Sequence, residues 1–364
     1  MSKPLVMIAA GGTGGHLFPA FALAEELKRR GFEVDLVTDV RADQYGIGFP
    51  GRSVHRVPSA TLRGRTPLGV LKLALTLAWG IWRARALLKE TNPAVIAGFG
   101  GYPTVPPLLA ARLAGIPSVI HDANAVMGRA NRLLARFASV IALTFEKTKY
   151  LRAGDRSKTR MVGMPVRDAV LEEVTPYRTR SRADAFSLLV FGGSQGARIF
   201  ADVVPAALAG LPQAYRARLK LVQQVREEDM QRVLAAYTQA GIDAELATFF
   251  SDLPRRMANA HLVIGRSGAS TVAELTVLGR PAILVPLPHA LDNDQLENAT
   301  RLQEVGGAWC IEQADFTPER LRNEFMHLAD SPDAMKEAAK AALSLGEPQA
   351  VARLADVIEE LARA

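Results

Sequence analysis

The chain has 364 residues, 49% hydrophobic and 22% charged, a balance that excludes a disordered polymer and suits two globular domains. A single cysteine, Cys310, excludes an intrachain disulfide framework and fits a reducing compartment. The net charge of +7 is uneven: residues 1–160 carry 23 Lys/Arg against 10 Asp/Glu, residues 161–364 carry 21 against 27, and with no run of interleaved basic and stacking residues the basic half fits an anionic lipid surface better than nucleic acid.

The first apolar run, residues 5–10, is too short for a signal peptide and reads as a strand, which places the protein in the cytoplasm. It leads into Gly11-Gly12-Thr13-Gly14-Gly15-His16 and a helical pattern over 18–30. A strand, a glycine turn and a helix N-terminus in that order form an anion site, because the backbone can approach a ligand and the first helical N–H groups point at it. Further strands are expected at 33–38, 94–98, 118–121 and 139–143, with a helix over 104–114.

Residues 67–82, PLGVLKLALTLAWGIW, form a helix that is apolar nearly all round. Leu71, Leu75, Trp79 and Trp82 share one face, and Arg63, Arg65, Arg83, Arg85 and Lys89 flank the run. It is shorter than the ~20 residues that span a bilayer. A buried core helix and a segment that dips into an anionic bilayer surface both fit this pattern.

Gly163-Met164-Pro165-Val166-Arg167 reads as a hinge. Beyond it, strands at 187–191, 219–224, 262–265, 282–286 and 309–311 alternate with helices, so the chain reads as two parallel-sheet α/β lobes facing one cleft. The lobes span 1–162 and 163–346, and a terminal helix over 347–364 packs back on the first. A second glycine turn, Gly192-Gly193-Ser194-Gln195-Gly196, opens the second lobe. A third phosphate-type turn, Arg266-Ser267-Gly268-Ala269-Ser270-Thr271, adds side-chain hydroxyls, with Glu274 one turn on and suited to ribose hydroxyls. None of these turns has the spacing of GxGxxG or GxxxxGK[ST], which disfavours an NAD enzyme or a P-loop ATPase. The six histidines are scattered, without a metal-ligand pair, so no metal or cofactor is expected. Cys310, in an apolar run, reads as a structural thiol.

Taken in order, GGTGGH at 11–16, GFGGY at 98–102, His121-x-x-Asn124, GxPVR at 163–167, GGSQGAR at 192–198, RSGAST at 266–271 and DNDQxxNA at 292–299 resemble the MurG family over essentially the whole chain. The resemblance implies the two-lobed GT-B glycosyltransferase fold. It implies UDP-N-acetylglucosamine as donor, undecaprenyl-diphosphoryl-muramoyl pentapeptide as acceptor, and peripheral attachment to the cytoplasmic face of the cell membrane. It also favours membrane contact for residues 67–82.

Carried over by motif, Thr13, Gly14 and Gly15 lie near the donor diphosphate and sugar, and Asn124 holds a sugar hydroxyl. Arg167 and Ser194 line the nucleotide side, and Phe250 presents its backbone to uracil, although from the sequence alone it reads as a strand-end core residue. Ala269, Ser270 and Thr271 take phosphate, Glu274 the ribose and Gln295 the N-acetylglucosamine hydroxyls. His16 and Asp122 are the candidate bases, and Tyr102 lines the acceptor side. The chain departs from the family pattern at Asp122, Ala123, Met164 and Asp294, where relatives usually have Glu, Gln, Asn and Gln or His. A GT-B enzyme with another lipid acceptor, a UDP-sugar epimerase and a non-catalytic nucleotide-sugar scaffold are the rival readings.

Overall fold

In the computed structural model, residues 3–11, 14–38, 48–59, 67–193 and 195–363 are described. The backbone divides into two compact units, Met1–Arg167 with Pro348–Ala364, and Asp168–Glu347. The division falls just after the 163–167 motif, five residues beyond the boundary expected at 162/163.

The first unit runs β1 (Leu5–Ala9), α1 (Gly14–Arg29), β2 (Glu33–Thr38), β3 (Ser53–Arg56), α2 (Pro67–Thr91), β4 (Val95–Gly98), α3 (Val105–Ala114), β5 (Ser118–Asp122), α4 (Arg129–Leu134), β6 (Val140–Leu143) and β7 (Thr159–Met161). Among the described residues its sheet has the order β3-β2-β1-β4-β5-β6-β7, with every pair parallel. Every residue of β1, β4 and β5 is buried, the pattern of strands covered on both faces by crossover helices. The sheet order reverses between β1 and β4, and their C-terminal ends carry the turns at 11 and 99–101. Ligands of open parallel sheets bind at such a reversal.

The second unit runs α5 (Asp168–Leu171), β8 (Phe186–Phe191), α6 (Arg198–Ala209), α7 (Gln213–Arg216), β9 (Leu219–Gln224), α8 (Met230–Ala240), β10 (Ala244–Ala247), α9 (Leu253–Asn259), β11 (Leu262–Gly265), α10 (Ala269–Leu278), β12 (Ala282–Leu284), α11 (Asp294–Glu304), β13 (Ala308–Cys310), α12 (Pro318–Ala329) and α13 (Pro332–Ser344). Its sheet, also parallel, has the order β10-β9-β8-β11-β12-β13. Here the reversal lies between β8 and β11, the strands that lead into the glycine turn and the RSGAST turn. Cys310 is half-buried, and burial pushes its thiol up to about 11, which keeps it in the unreactive thiol form.

The chain returns to the first unit for α14 (Ala350–Arg363). This helix buries Leu354, Ala355 and Ile358 in the core formed by Leu17, Leu23, Leu27 and the sheet. Arg30, following α1, bonds Asp356 at 2.6 Å and Glu359 at 3.2 Å, while Arg353 donates to the Val162 carbonyl at 3.0 Å.

Candidate functional site

Each unit presents its turns at the C-terminal ends of its central strands. In the first unit, His16 stands on the opening turn of α1 with its ring against glycine backbone. A Cβ added at Gly11 would lie 3.1 Å from His16 Nδ1, one at Gly101 3.5 Å from it, and one at Gly100 3.4 Å from Nε2. Gly100 and Gly101 also have φ of 87° and 77°, values that L side chains rarely adopt. These glycines therefore form the seat of an imidazole. Gly14 is buried beneath Phe18, whose ring carries the Arg167 guanidinium at 4.4 Å. Gly15 is exposed, and Tyr102, 37% exposed, opens a single 3-10 turn beyond Gly101. Thr13 and Ser194 lie outside the described residues.

The end of β5 is a buried polar cluster. Asp122 Oδ2 accepts from Gly128 N and Asn131 Nδ2, both at 2.9 Å, and Oδ1 accepts from Asn124 N at 3.2 Å. Burial pushes this carboxyl up to about 6 against those bonds and the nearby charge of Arg132. His121 Nε2 lies 2.9 Å from the Gly163 carbonyl and donates to it. Burial holds that imidazole down at about 4. Asn124 is half-buried on the turn that this cluster shapes.

In the second unit, Gln224 at the end of β9 braces the glycine turn: Gly192 N donates to its Oε1 at 2.9 Å, and its Nε2 donates to the Gly193 carbonyl at 3.1 Å. The RSGAST turn is fastened at several points. Arg266 donates to the carbonyls of Val285 and Pro286, each at 3.0 Å, and to Gln313 Oε1 at 2.6 Å. Ser267 Oγ donates to the Gln295 carbonyl at 2.8 Å, and Asn298 Nδ2 donates to the Ser267 carbonyl at 3.2 Å. The Gln295 backbone is thereby tied to Ser267, at the start of the turn that carries Ala269, Ser270 and Thr271. Leu287 N donates to Gln295 Oε1 at 3.0 Å, which leaves the amide NH2 as the end presented elsewhere.

Among the described residues no side chain caps the N-terminus of α10, so its first N–H groups and the positive end of its dipole suit an anion. The Ser270 hydroxyl is buried there with no hydrogen-bond partner among the described residues, as expected of a group that meets a ligand. Glu274, 6% exposed, lies one turn on from Ser270 along the same helix face. Phe250 is buried, with the Arg256 guanidinium 4.4 Å over its ring and Arg256 held by Asp252 and Glu245. Its ring is a packing group, so a ligand contact here belongs to its backbone.

Helix α2 divides its apolar run between a buried and an exposed side. Ala84 and Leu88 are buried and Leu77 and Ile81 pack on the core, whereas Leu71, Leu75, Trp79 and Trp82 are 56%, 63%, 55% and 64% exposed. Arg83, Arg85 and Lys89 are exposed on the same helix, and Arg63 and Arg65 lie outside the described residues. Among the described residues no helix is long and apolar enough to cross a membrane, and no cluster of His, Cys, Asp or Glu fits a metal ion.

Three groups that shape these turns lie outside the sequence motifs: Asn131, Gln224 and Gln313. Arg266, Ser267 and Asn298 belong to the RSGAST and DNDQxxNA motifs, but their bracing bonds reach partners 19 to 47 residues away. Leu113 on α3, which packs along α2, and Leu133 and Phe137 around the end of α4 are also exposed.

Two doubly wound parallel units with turns at their strand reversals are the architecture of GT-B glycosyltransferases. The chain belongs to glycosyltransferase family 28: its residues 6–143 match the glycosyltransferase family 28 N-terminal domain and residues 187–360 the C-terminal domain. A relative from Nitrobacter hamburgensis, the UDP-N-acetylglucosamine--N-acetylmuramyl-(pentapeptide) pyrophosphoryl-undecaprenol N-acetylglucosamine transferase, is 51% identical over 363 residues, covering 100% of this chain and 98% of its own. The crystal structure of MurG from Acinetobacter baumannii superposes with a TM-score of 0.79 at 28% identity, covering 98% of this chain and 99% of that one. A UDP-GlcNAc 2-epimerase from Neisseria meningitidis, at 14% identity and a TM-score of 0.70 over 98% of this chain and 100% of its own, shares the fold alone.

Proposed function

We propose that this protein transfers N-acetylglucosamine from UDP-N-acetylglucosamine to the C4 hydroxyl of the muramoyl sugar of undecaprenyl-diphosphoryl-muramoyl pentapeptide, with inversion at the anomeric carbon. The relatives' shared activity supports the reaction, and the observation that carries the donor reading is the bond from Ser267, in the RSGAST turn, to the Gln295 backbone carbonyl. In this reading the Gln295 amide meets the sugar, the start of α10 takes the phosphate, and Glu274, one turn on, takes the ribose.

Departure of UDP leaves negative charge on the diphosphate. The N–H groups at the start of α10 and the Ser270 hydroxyl stabilise it without reorganising, a contribution of several kcal/mol in sites of this type. Thr13, Gly14, Gly15, Arg167 and Ser194 complete the donor contacts in this reading, and Phe250 meets uracil through its backbone. His16, held on its glycine seat, takes the proton from the attacking hydroxyl. Tyr102 borders the acceptor.

The acceptor carries a polyprenyl chain, and the protein meets it at the cytoplasmic face of the membrane. Leu71, Leu75, Trp79 and Trp82 enter the bilayer surface while Arg83, Arg85 and Lys89 face anionic headgroups.

The test is transfer of radiolabelled sugar to a soluble short-chain acceptor analogue. Label is expected in the acceptor, with UDP released only when the polyprenyl-diphosphate sugar is present. Consumption of donor without acceptor, or isomerisation of the donor sugar, overturns the reading.

A further inference from the structure

At the end of β5 three N–H donors converge on one carboxylate. Asn124, Gly128 and Asn131, which supply them, span the turn from β5 into α4, so Asp122 joins the start of the turn, its end and the following helix to the strand. Asn131 completes the arrangement from the other side. Its Nδ2 donates to Asp122 Oδ2 and to the His121 carbonyl, both at 2.9 Å, and the residue is 3% exposed. The same amide abuts the seat of His16: a Cβ at Gly100 would lie 3.7 Å from Asn131 Nδ2 and 3.4 Å from His16 Nε2. A general base must reach a substrate proton, whereas both oxygens of Asp122 face fixed donors and the residue is 2% exposed.

We propose that Asp122 and Asn131 form a positioning pair that holds the 122–131 turn, setting Asn124 against the donor sugar and the glycine seat under His16, and that Asp122 carries no proton in the transfer. The inference rests on the reading of Asn124 as a sugar contact. It separates the two candidate bases by geometry: His16 acts on the substrate, and Asp122 acts through the turn.

The experiment measures donor affinity by calorimetry and single-turnover transfer at saturating donor for Asp122→Asn, Asn131→Ala and Asn124→Ala, with circular dichroism to check folding. Asp122→Asn keeps an oxygen for Gly128 and Asn131 but cannot serve as a base. Its turnover should stay within about tenfold of the parent, where loss of a general base costs ~10²–10⁴-fold. Asn131→Ala should weaken donor binding about five- to tenfold, the scale of one lost hydrogen bond, with much of the rate recovered at saturating donor. A hundredfold loss of turnover in a folded Asp122→Asn overturns the proposal, and so does unchanged donor affinity in a folded Asn131→Ala. Should Asn131→Ala not fold, the Asp122→Asn measurement decides alone. Asn124→Ala tests the underlying reading separately. Unchanged donor affinity there removes Asn124 from the sugar site and the proposal with it, whereas weakened affinity there beside a normal Asn131→Ala overturns the pair alone.

Discussion

His121 and Asp122 are neighbours in the chain, both buried, and they titrate in opposite senses. His121 has its value lowered from 6.5 to about 4, and Asp122 has its value raised from 3.8 to about 6, burial being the main cause of each. Between pH 4 and 6.5 the unfolded state binds a proton on His121 that the folded state does not, so this group's contribution to stability is lost as pH falls. Between pH 3.8 and 6 the folded state holds a proton on Asp122 that the unfolded state has released, so the carboxyl destabilises progressively as pH rises. Each slope is about 1.4 kcal/mol per pH unit, and over the shared window from 4 to 6 they oppose each other. Asp122→Asn removes one slope and uncovers the other: relative to the wild type it should gain up to roughly 3 kcal/mol as pH rises from 3.8 to 6. His121→Asn should lose a similar amount relative to the wild type between pH 4 and 6.5. Urea unfolding at half-unit pH steps, in a Trp309→Phe background that leaves Trp79 and Trp82 as reporters of the first unit, measures both differences. Parallel curves for wild type and Asp122→Asn across pH 4 to 6 would show a carboxyl that titrates normally and would refute the argument.

Other outcomes follow from the same geometry. Glu274→Ala should weaken UDP-N-acetylglucosamine binding by ~1–3 kcal/mol with the fold intact, since a charged acceptor for the ribose is lost; unchanged calorimetric affinity removes Glu274 from the site. Gly101→Ala forces a side chain into positive φ and against the His16 ring, and should cost ~1–2 kcal/mol of stability while lowering turnover more than donor affinity; a variant with normal thermal midpoint and normal turnover contradicts the seat. Binding to anionic vesicles should fall with salt, and replacing Trp79 and Trp82 together by Ser should weaken it further while transfer to a soluble acceptor is preserved. Joint loss of folding and soluble activity would instead mark α2 as a core helix.

The central strands of both sheets were legible because burial on both faces demands continuous apolar runs, as in residues 5–9 and 262–265. The missed strands, Ser53–Arg56, Thr159–Met161 and Ala244–Ala247, all lie at sheet edges, where solvent replaces one neighbour and short polar segments suffice. Helix α2 runs to Thr91, beyond the apolar stretch that ends at Trp82, because its last turns alternate buried Ala84 and Leu88 with exposed charges. The anion-binding turns were legible as glycine and hydroxyl clusters after strands. Their bracing was not: Gln224 reaches a turn 31 and 32 residues away, and Ser267 meets Gln295 across 28. Such pairings are set by which strand ends become neighbours, information that a local motif does not carry. Asp122 was legible as a chemically notable group, but the donors around it appear only when the turn closes.

The return of α14 to the first unit has a consequence for synthesis. Its Leu354 and Ile358 fill the core beside Leu17 and Leu27, yet they leave the ribosome only after residues 168–347 have been made. At ~5–20 residues per second, the unit that begins first waits on the order of ten seconds or more for its last helix, and meanwhile the apolar flank of α1 has no cover. The inserted unit, contiguous in sequence, can fold during that interval. The second unit is therefore positioned to finish before the first, and a message truncated near codon 347 would yield a complete C-terminal unit attached to an N-terminal one with an open core.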